Sequence, residues 1–210
     1  MTSVSPAGHE QPSRPRVTKR RAQTRARLLE AGYKVWAEQG FWQTRVEEIC
    51  AEAGYTRGAF YSNFDSLDDL FFALYEQRCG QITAQITAVL ADGGGDDSSA
   101  AALVERTAAA LPLDREWLMI KAEYLLHAAR NPAIAGRLAV YQDELRTAIE
   151  HRLRQAGDRI TLPGPLSGIP DAARAAIAVY EGAATQYLLD GDEKAAREWL
   201  ARLLTITLNR

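Results

Sequence analysis

The stretch AGYTRGAFYSNF, Ala53 to Phe64, decides how this chain folds. Gly54 stops a helix-prone run, Tyr55 fills the turn, and Thr56 is a residue type that caps a new helix by accepting a hydrogen bond from an N–H one turn on. Phe60 and Phe64 are four apart and share one face of the helix that follows. If those rings point inward, Arg57, Gly58, Ala59, Tyr61, Ser62 and Asn63 occupy its early turns and outer flank.

Working back toward the N-terminus, Leu28, Leu29, Gly32, Val35 and Trp36 line one side of a helix that runs from about Thr24 to Gln39, with Gly40 placed for a left-handed C-terminus. Thr44 and Glu47 have the spacing of a capping box, and Val46, Ile49, Cys50 and Ala53 fall at i, i+3, i+4 and i+7. The result is two short helices joined by a glycine turn, a helix-turn-helix. The second helix of such a unit can enter a DNA major groove. There Arg57 has the donor geometry for guanine O6 and N7, Ala59 can meet a thymine methyl, and Gly58 lets the backbone approach. Thr44, Thr56 and Tyr61 suit phosphate oxygens, contacts that set register rather than sequence preference. A plain helical hairpin with a polar outer face is the alternative.

Charge distribution bears on that choice. The 210 residues carry a net charge of −2, yet residues 1–64 hold ten Lys/Arg against six Asp/Glu. RPRVTKRRAQTRAR, Arg14 to Arg27, packs seven cations and no acid into fourteen residues, behind a segment without hydrophobic periodicity. It reads as a flexible basic arm (1–17) leading into a helix, suited to a polyanion or, as the alternative, simply a solvated tail. No run approaches the roughly 20 apolar residues of a membrane span, and no apolar signal region follows the N-terminus, so a soluble cytoplasmic protein is expected. Cys50 and Cys79 lie far apart at core-type helical positions without metal-ligand spacing.

The rest of the chain reads as helix: 66–91, 99–111, 114–130, 132–155, 171–189 and 193–208. GGGDDSS (Gly93 to Ser99) and GDRITLPGPLSGIP (Gly157 to Pro170) interrupt it as connections. Tyr75, Trp117, Met119, Tyr124, His127, Tyr141 and Tyr180 give the middle helices the aromatic, sulfur and hydroxyl groups of a mostly apolar ligand site, or of an ordinary core. One Glu123/His127 pair falls short of a helical di-metal ligand set, and neither a metal nor a cofactor is expected.

The span from Thr24 to Arg78 closely resembles the N-terminal domain of TetR-family transcriptional regulators, most clearly in AGYTRGAFYSNFDS, and covers about a quarter of the chain. The resemblance implies an all-α homodimer with a three-helix DNA-binding domain (18–65) and a larger helical ligand-binding and dimerisation domain (66–210). By the family pattern, Thr44, Arg45 and Val46 begin the supporting helix, while Arg57, Gly58, Ala59, Tyr61, Ser62 and Asn63 belong to the recognition helix. The family often has Lys where Leu67 stands here, which gives the nearby cations Lys19, Arg20 and Arg21 the task of replacing a phosphate contact. Pairing of the last two helices with their symmetry mates would use Ile177, Tyr180, Ala184, Leu188, Trp199, Leu200, Leu203 and Leu204. The expected function is a repressor released from a palindromic double-stranded operator by a small hydrophobic or amphipathic effector. A helical-bundle enzyme or carrier, or a structural adaptor, is the rival, but no nucleophile elbow, phosphate-binding glycine loop or paired-carboxylate signature supports catalysis.

Overall fold

In a computed structural model of the chain the described residues are 19–91, 99–157 and 166–208, and all regular structure among them is α-helical. The order is α1 Lys19–Gln39, α2 Val46–Ala53, α3 Arg57–Tyr61, α4 Leu67–Ala91, α5 Ala100–Ala110, α6 Arg115–Arg130, α7 Pro132–Ala156, α8 Ile169–Asp190 and α9 Glu193–Leu208. The arm 1–17 and most of both expected connections lie outside the described residues. Ser99, at the end of the first connection, caps α5 by accepting from the Ala102 N–H. The second connection ends earlier than its three prolines suggest. Helix α8 opens at Ile169 with Pro170 in its first turn, where a fixed φ and a missing N–H cost nothing.

Residues 19–64 fold as the opening stretch requires. Gly54 takes φ 70°, a left-handed conformation that ends α2, and the Tyr55 N–H closes the turn on the Cys50 carbonyl at 2.8 Å. Thr56 Oγ1 accepts from the Ala59 N–H at 3.3 Å and starts α3. This helix is only five residues long, so Phe64 lies just past it, although its N–H still donates to the Phe60 carbonyl at 2.9 Å. Both rings are buried, 5.7 Å apart.

The capping box of α2 sits one residue later than its spacing suggests. Thr44 is buried and donates its hydroxyl back to the Gly40 carbonyl, so it is not the cap. Arg45 takes the N-cap position instead, and the Glu48 carboxylate accepts from its N–H at 2.6 Å. Glu47 is thereby released from capping.

Packing does not stop at the edge of the three-helix unit. One core cluster joins Leu28, Trp36, Phe41, Ile49 and Phe60 to Leu70, Phe71 and Phe72 of α4, and continues through Ile120 and Tyr124 of α6 to Ile134 and Leu138 of α7. The α1–α4 crossing is close: a Cβ on Gly32 would come within 2.6 Å of Leu70 Cδ2. A second cluster, around Val104, Leu153, Ala172, Leu200 and Leu204, holds α5, α7, α8 and α9 together. Helix α4 belongs to both, through Leu70–Tyr75 at one end and Ile82 and Ile86 at the other.

Because Phe60 is completely buried, Phe60→Ala should destabilise the protein by about 3–5 kcal/mol, the usual cost of emptying an aromatic core site. Urea unfolding measures it. A loss below about 1 kcal/mol would mean that the ring does not anchor α3.

Candidate nucleic-acid interface and internal cavity

With Phe60 inward, α3 turns Arg57, Gly58 and Tyr61 to solvent, while Ala59 is half-buried. Arg57 Nη1 meets Glu47 Oε1 of α2 at 2.8 Å, and its guanidinium lies 5.8 Å from the centre of the Tyr61 ring. A hydrogen bond with Tyr61, and then the Glu47 charge, raise the Arg57 pKa. Thr56 caps through its oxygen lone pair, which leaves its own O–H free to donate. Ser62 and Asn63 are committed locally: Ser62 Oγ and Asn63 Nδ2 both donate to the Ala59 carbonyl, at 2.9 and 2.8 Å. Those side chains help finish α3, with Ser62 exposed and Asn63 half-buried.

The basic start of α1 embraces the same helix. Arg21 Nη2 donates to the Ser62 carbonyl at 3.1 Å, and Arg25 Nη1 to the Asn63 carbonyl at 3.2 Å with its guanidinium 4.4 Å above the Phe64 ring. Arg25 was not singled out in the sequence, although its position one turn after Arg21 on a cationic helix was a signal for it. Lys19, Arg20 and Arg45 are exposed, Val46 packs against the core, and Thr44 is buried. The outward face therefore consists of Arg45, Glu47, Thr56, Arg57, Gly58, Tyr61 and the locally bonded Ser62, flanked by the α1 cations, with Thr44 buried and Val46 and Asn63 half-buried.

A cavity of about 110 Å³ lies inside the larger helical body, walled by α4 to α9. Its length is apolar, with Ile82, Ile86, Val104, Ile149 and Leu204 in the wall, and one end gathers Tyr75, Cys79, Lys121, Tyr180 and Glu181. Lys121 is buried and ion-paired with Glu181. Burial pushes the Cys79 thiol up to about 11, so it stays protonated at neutral pH, and burial also raises Tyr75 and Tyr180. Tyr180 donates its hydroxyl to the Pro112 carbonyl.

Of the aromatic and polar residues expected to line a site, Tyr75, Trp117 and Tyr180 do so. The other four lie elsewhere. Met119 is exposed; Tyr124 is fully buried with its hydroxyl donating to Asp68; Tyr141 stacks on Phe72; His127 packs edge-on against Trp42, 4.6 Å away. The sequence reading missed Cys79, Lys121 and Glu181, because a cation and a carboxylate 60 positions apart give no local signal that they meet.

The residues assigned to a pairing surface divide in a similar way. Leu200, Leu204 and Ala184 are buried within the chain, and Ile177 and Tyr180 line the cavity. Leu188 and Leu203 are half-buried, and Trp199 is exposed. Outward-facing apolar residues on these helices are Leu189, Trp199 and Ile206, beside the small Ala178 and Gly182. Helices α8 and α9 pack against each other and against α5 and α7, so their most apolar stripes face inward within the chain.

Polar contacts tie the two regions together: Glu123 Oε2 of α6 accepts the Phe41 N–H at 2.7 Å, and Tyr33 donates to Asp114 at 2.8 Å. Within the body Arg78 pairs with Asp114 at 3.0 Å, and Arg137 with Asp69 at 2.7 Å. Glu123 and His127 thus have structural neighbours on the α1–α2 turn, and among the described residues no cluster of His, Cys, Asp and Glu has the make-up of a metal site. Among those residues no helix is long and apolar enough to cross a membrane.

A helix-turn-helix with an exposed second helix, carried on an all-helical body, defines a DNA-binding transcriptional regulator. Residues 28–74 match the family model described as bacterial regulatory proteins, tetR family. The chain is 28% identical over 162 residues to the HTH-type transcriptional regulator AcrR of Shigella flexneri, covering 72% of this chain and 73% of that one. It is 27% identical over 131 residues to the HTH-type transcriptional repressor AcnR of Corynebacterium diphtheriae, covering 62% and 64%. A putative TetR-family regulator from Rhodococcus sp. superposes with a TM-score of 0.71 at 20% identity, over 90% of this chain and 100% of that one. The multidrug binding protein EbrR, solved in complex with imidazole, gives 0.57 at 27% identity, over 85% and 93%. The N-terminal helix-turn-helix is thus that of TetR-family transcriptional regulators, and the chain as a whole is similar to members of that family.

Adjacent glutamates in α2 should behave differently on truncation. Glu48→Ala removes the acceptor for the Arg45 N–H and should cost about 1 kcal/mol in thermal or urea unfolding, whereas Glu47→Ala, at an exposed pair, should stay within about 0.5 kcal/mol. Equal losses would return the cap to Glu47.

Proposed function

We propose that this protein is a homodimeric repressor that binds a palindromic operator through α3 and is released from it by a small, mostly apolar effector held in the internal cavity. The observation that carries the reading is the exposure of Arg57, Gly58 and Tyr61 on a helix held from behind by Phe60. In the groove, Arg57 reads a guanine edge bidentately, Gly58 allows close backbone approach, and the small Ala59 meets a thymine methyl. Tyr61, Thr56 and the cations Lys19 and Arg20 take phosphates and fix the docking angle. Glu47 holds Arg57 in position before contact; an exposed pair of this kind exchanges for a base at little cost.

Dimerisation through the outer sides of α8 and α9 suits the exposed Trp199, Leu189 and Ile206, and the small Ala178 and Gly182 let two such faces approach closely. Two α3 helices about one DNA turn apart then match a two-fold symmetric site. The largely apolar cavity with a polar end supports the effector site, and AcnR, a transcriptional repressor, and EbrR, a multidrug binding protein, agree with repression and ligand response. Action on operator DNA puts the working protein in the cytoplasm.

Selection of binding sites from a random duplex pool, followed by affinity measurements at several salt concentrations, tests the reading. Affinity for the selected duplex should fall steeply with salt. Arg57→Ala should relax base choice at one position per half-site, losing about 1–3 kcal/mol of discrimination there. Tyr61→Phe should weaken all sequences alike. Wild-type base choice and affinity in both variants would remove α3 from the groove.

A further inference from the structure

The Lys121 ammonium is the least expected group in the cavity wall. It is only 8% exposed and surrounded by an apolar slot, yet its sole hydrogen-bond partner among the described residues is the Glu181 carboxylate. An ammonium has three donors, so two remain without a protein acceptor. Glu181 is itself 42% exposed in its side chain and faces partly to solvent. A second cation, Arg152, also lines the wall: its Nη1 donates to Gln155, while its buried Nε has no acceptor. Arg78, the remaining wall cation, is balanced by Asp114. Glu144, whose charge reaches the Cys79 thiol, is exposed and outside the wall. With Arg78 neutralised by Asp114 outside the wall, Lys121 and Arg152 against Glu181 leave one positive charge in excess, with unmet donors beside an apolar channel.

We propose that the ligand of this cavity is an amphipathic monocarboxylic acid, its carboxylate on the Lys121 ammonium and its unbranched apolar tail running along α4 toward Leu90. The proposal rests on the reading of the cavity as the effector site. A carboxylate supplies the acceptors that Lys121 lacks and cancels the excess charge. A cationic ligand would have to take Glu181 and leave a buried ammonium unpaired, a costly arrangement. An uncharged alcohol satisfies donors without balancing charge. Along α4, Tyr75 to Leu90 span about 22 Å at 1.5 Å per residue, so the slot favours a slender chain over a broad ring system. Its free volume of about 110 Å³ is that of a narrow slot, in which each added methylene buries further apolar surface.

Calorimetric titration of the full-length, DNA-free protein with butanoate, hexanoate, octanoate, 1-octanol and octylammonium tests this. Octanoate should bind at least about tenfold more tightly than 1-octanol, the margin of a charge-assisted hydrogen bond, and octylammonium more weakly than either. Affinity should rise by up to roughly fourfold per methylene from butanoate to octanoate. In Lys121→Met/Glu181→Gln, which removes both charges together, the acid should lose its advantage while 1-octanol binds as before; Lys121→Arg should keep the preference. Octanol or octylammonium binding as tightly as octanoate, no binding of any acid, or an acid preference that survives the double substitution would overturn the proposal. DNA binding is measured separately on the selected duplex. Duplex binding without acid binding defeats only this inference, and acid binding without duplex binding defeats only the regulatory reading.

Discussion

Phe71 of α4 stacks on Tyr124 of α6 with ring centres 3.5 Å apart at 13°, and the arrangement of the whole molecule depends on that contact. A three-helix unit of fewer than fifty residues buries too little apolar surface to be robust by itself. Here its shortfall is made good from outside. Trp36 and Phe41 of the N-terminal unit pack on Phe71, Phe41 also meets Tyr124 edge-on at 5.1 Å, and Trp117 stacks on the far side of the cluster. Each aromatic pair adds about 0.5–1.5 kcal/mol beyond its area term. The Tyr124 hydroxyl, which would be costly to bury alone, donates to Asp68. The DNA-facing unit and the first half of α4 are thus cemented to α6.

Around this cluster the polar contacts are of a different kind. Arg137–Asp69 and Lys34–Glu52 are surface pairs, worth little each and weakened by salt. Glu123 is the exception, because it satisfies a backbone N–H in the α1–α2 turn and so fixes the turn's distance from α6. Packing sets how strongly the parts adhere, and these few directional contacts set their angle.

Much of this was legible in the sequence for a definite reason. Helix boundaries followed local chemistry: Gly54 at a left-handed position, Thr56 and Ser99 as caps, and an apolar spacing that marked α6, α7 and α9 to within about two residues. Phe60 could be read as an anchor because its inward direction follows from helix geometry alone. What escaped turned on side-chain choices and on long-range packing. The shift of the capping box depended on whether the Thr44 hydroxyl turned back to Gly40, and the local bonding of Ser62 and Asn63 on how α3 ends. Lys121 and Glu181 read as ordinary surface charges until the fold brought α6 beside α8. Tyr124 and Tyr141 carry the same chemistry as Tyr75 and Tyr180, and only packing separates core from cavity.

One face of helix α6 serves both regions, and this limits how a cavity can influence α3. Trp117 and Lys121 border the cavity, while Tyr124, one turn beyond Lys121 on the same face, sits in the aromatic cluster that Trp117 also joins. A ligand that prefers one arrangement by about 100-fold has only ~2.7 kcal/mol with which to shift the equilibrium. Pulling Tyr124 off Phe71 and unseating Phe41 would lose two aromatic contacts and leave the Tyr124 hydroxyl or Asp68 unmatched, about 2–6 kcal/mol, which uses up most or more than all of that amount. Shifting surface pairs such as Arg137–Asp69 costs less than about 1 kcal/mol each. If the cavity holds the proposed effector, the cheap response would be movement of α1–α3, the start of α4 and the end of α6 as one block against the α5, α8 and α9 side of the cavity, with the aromatic stack intact.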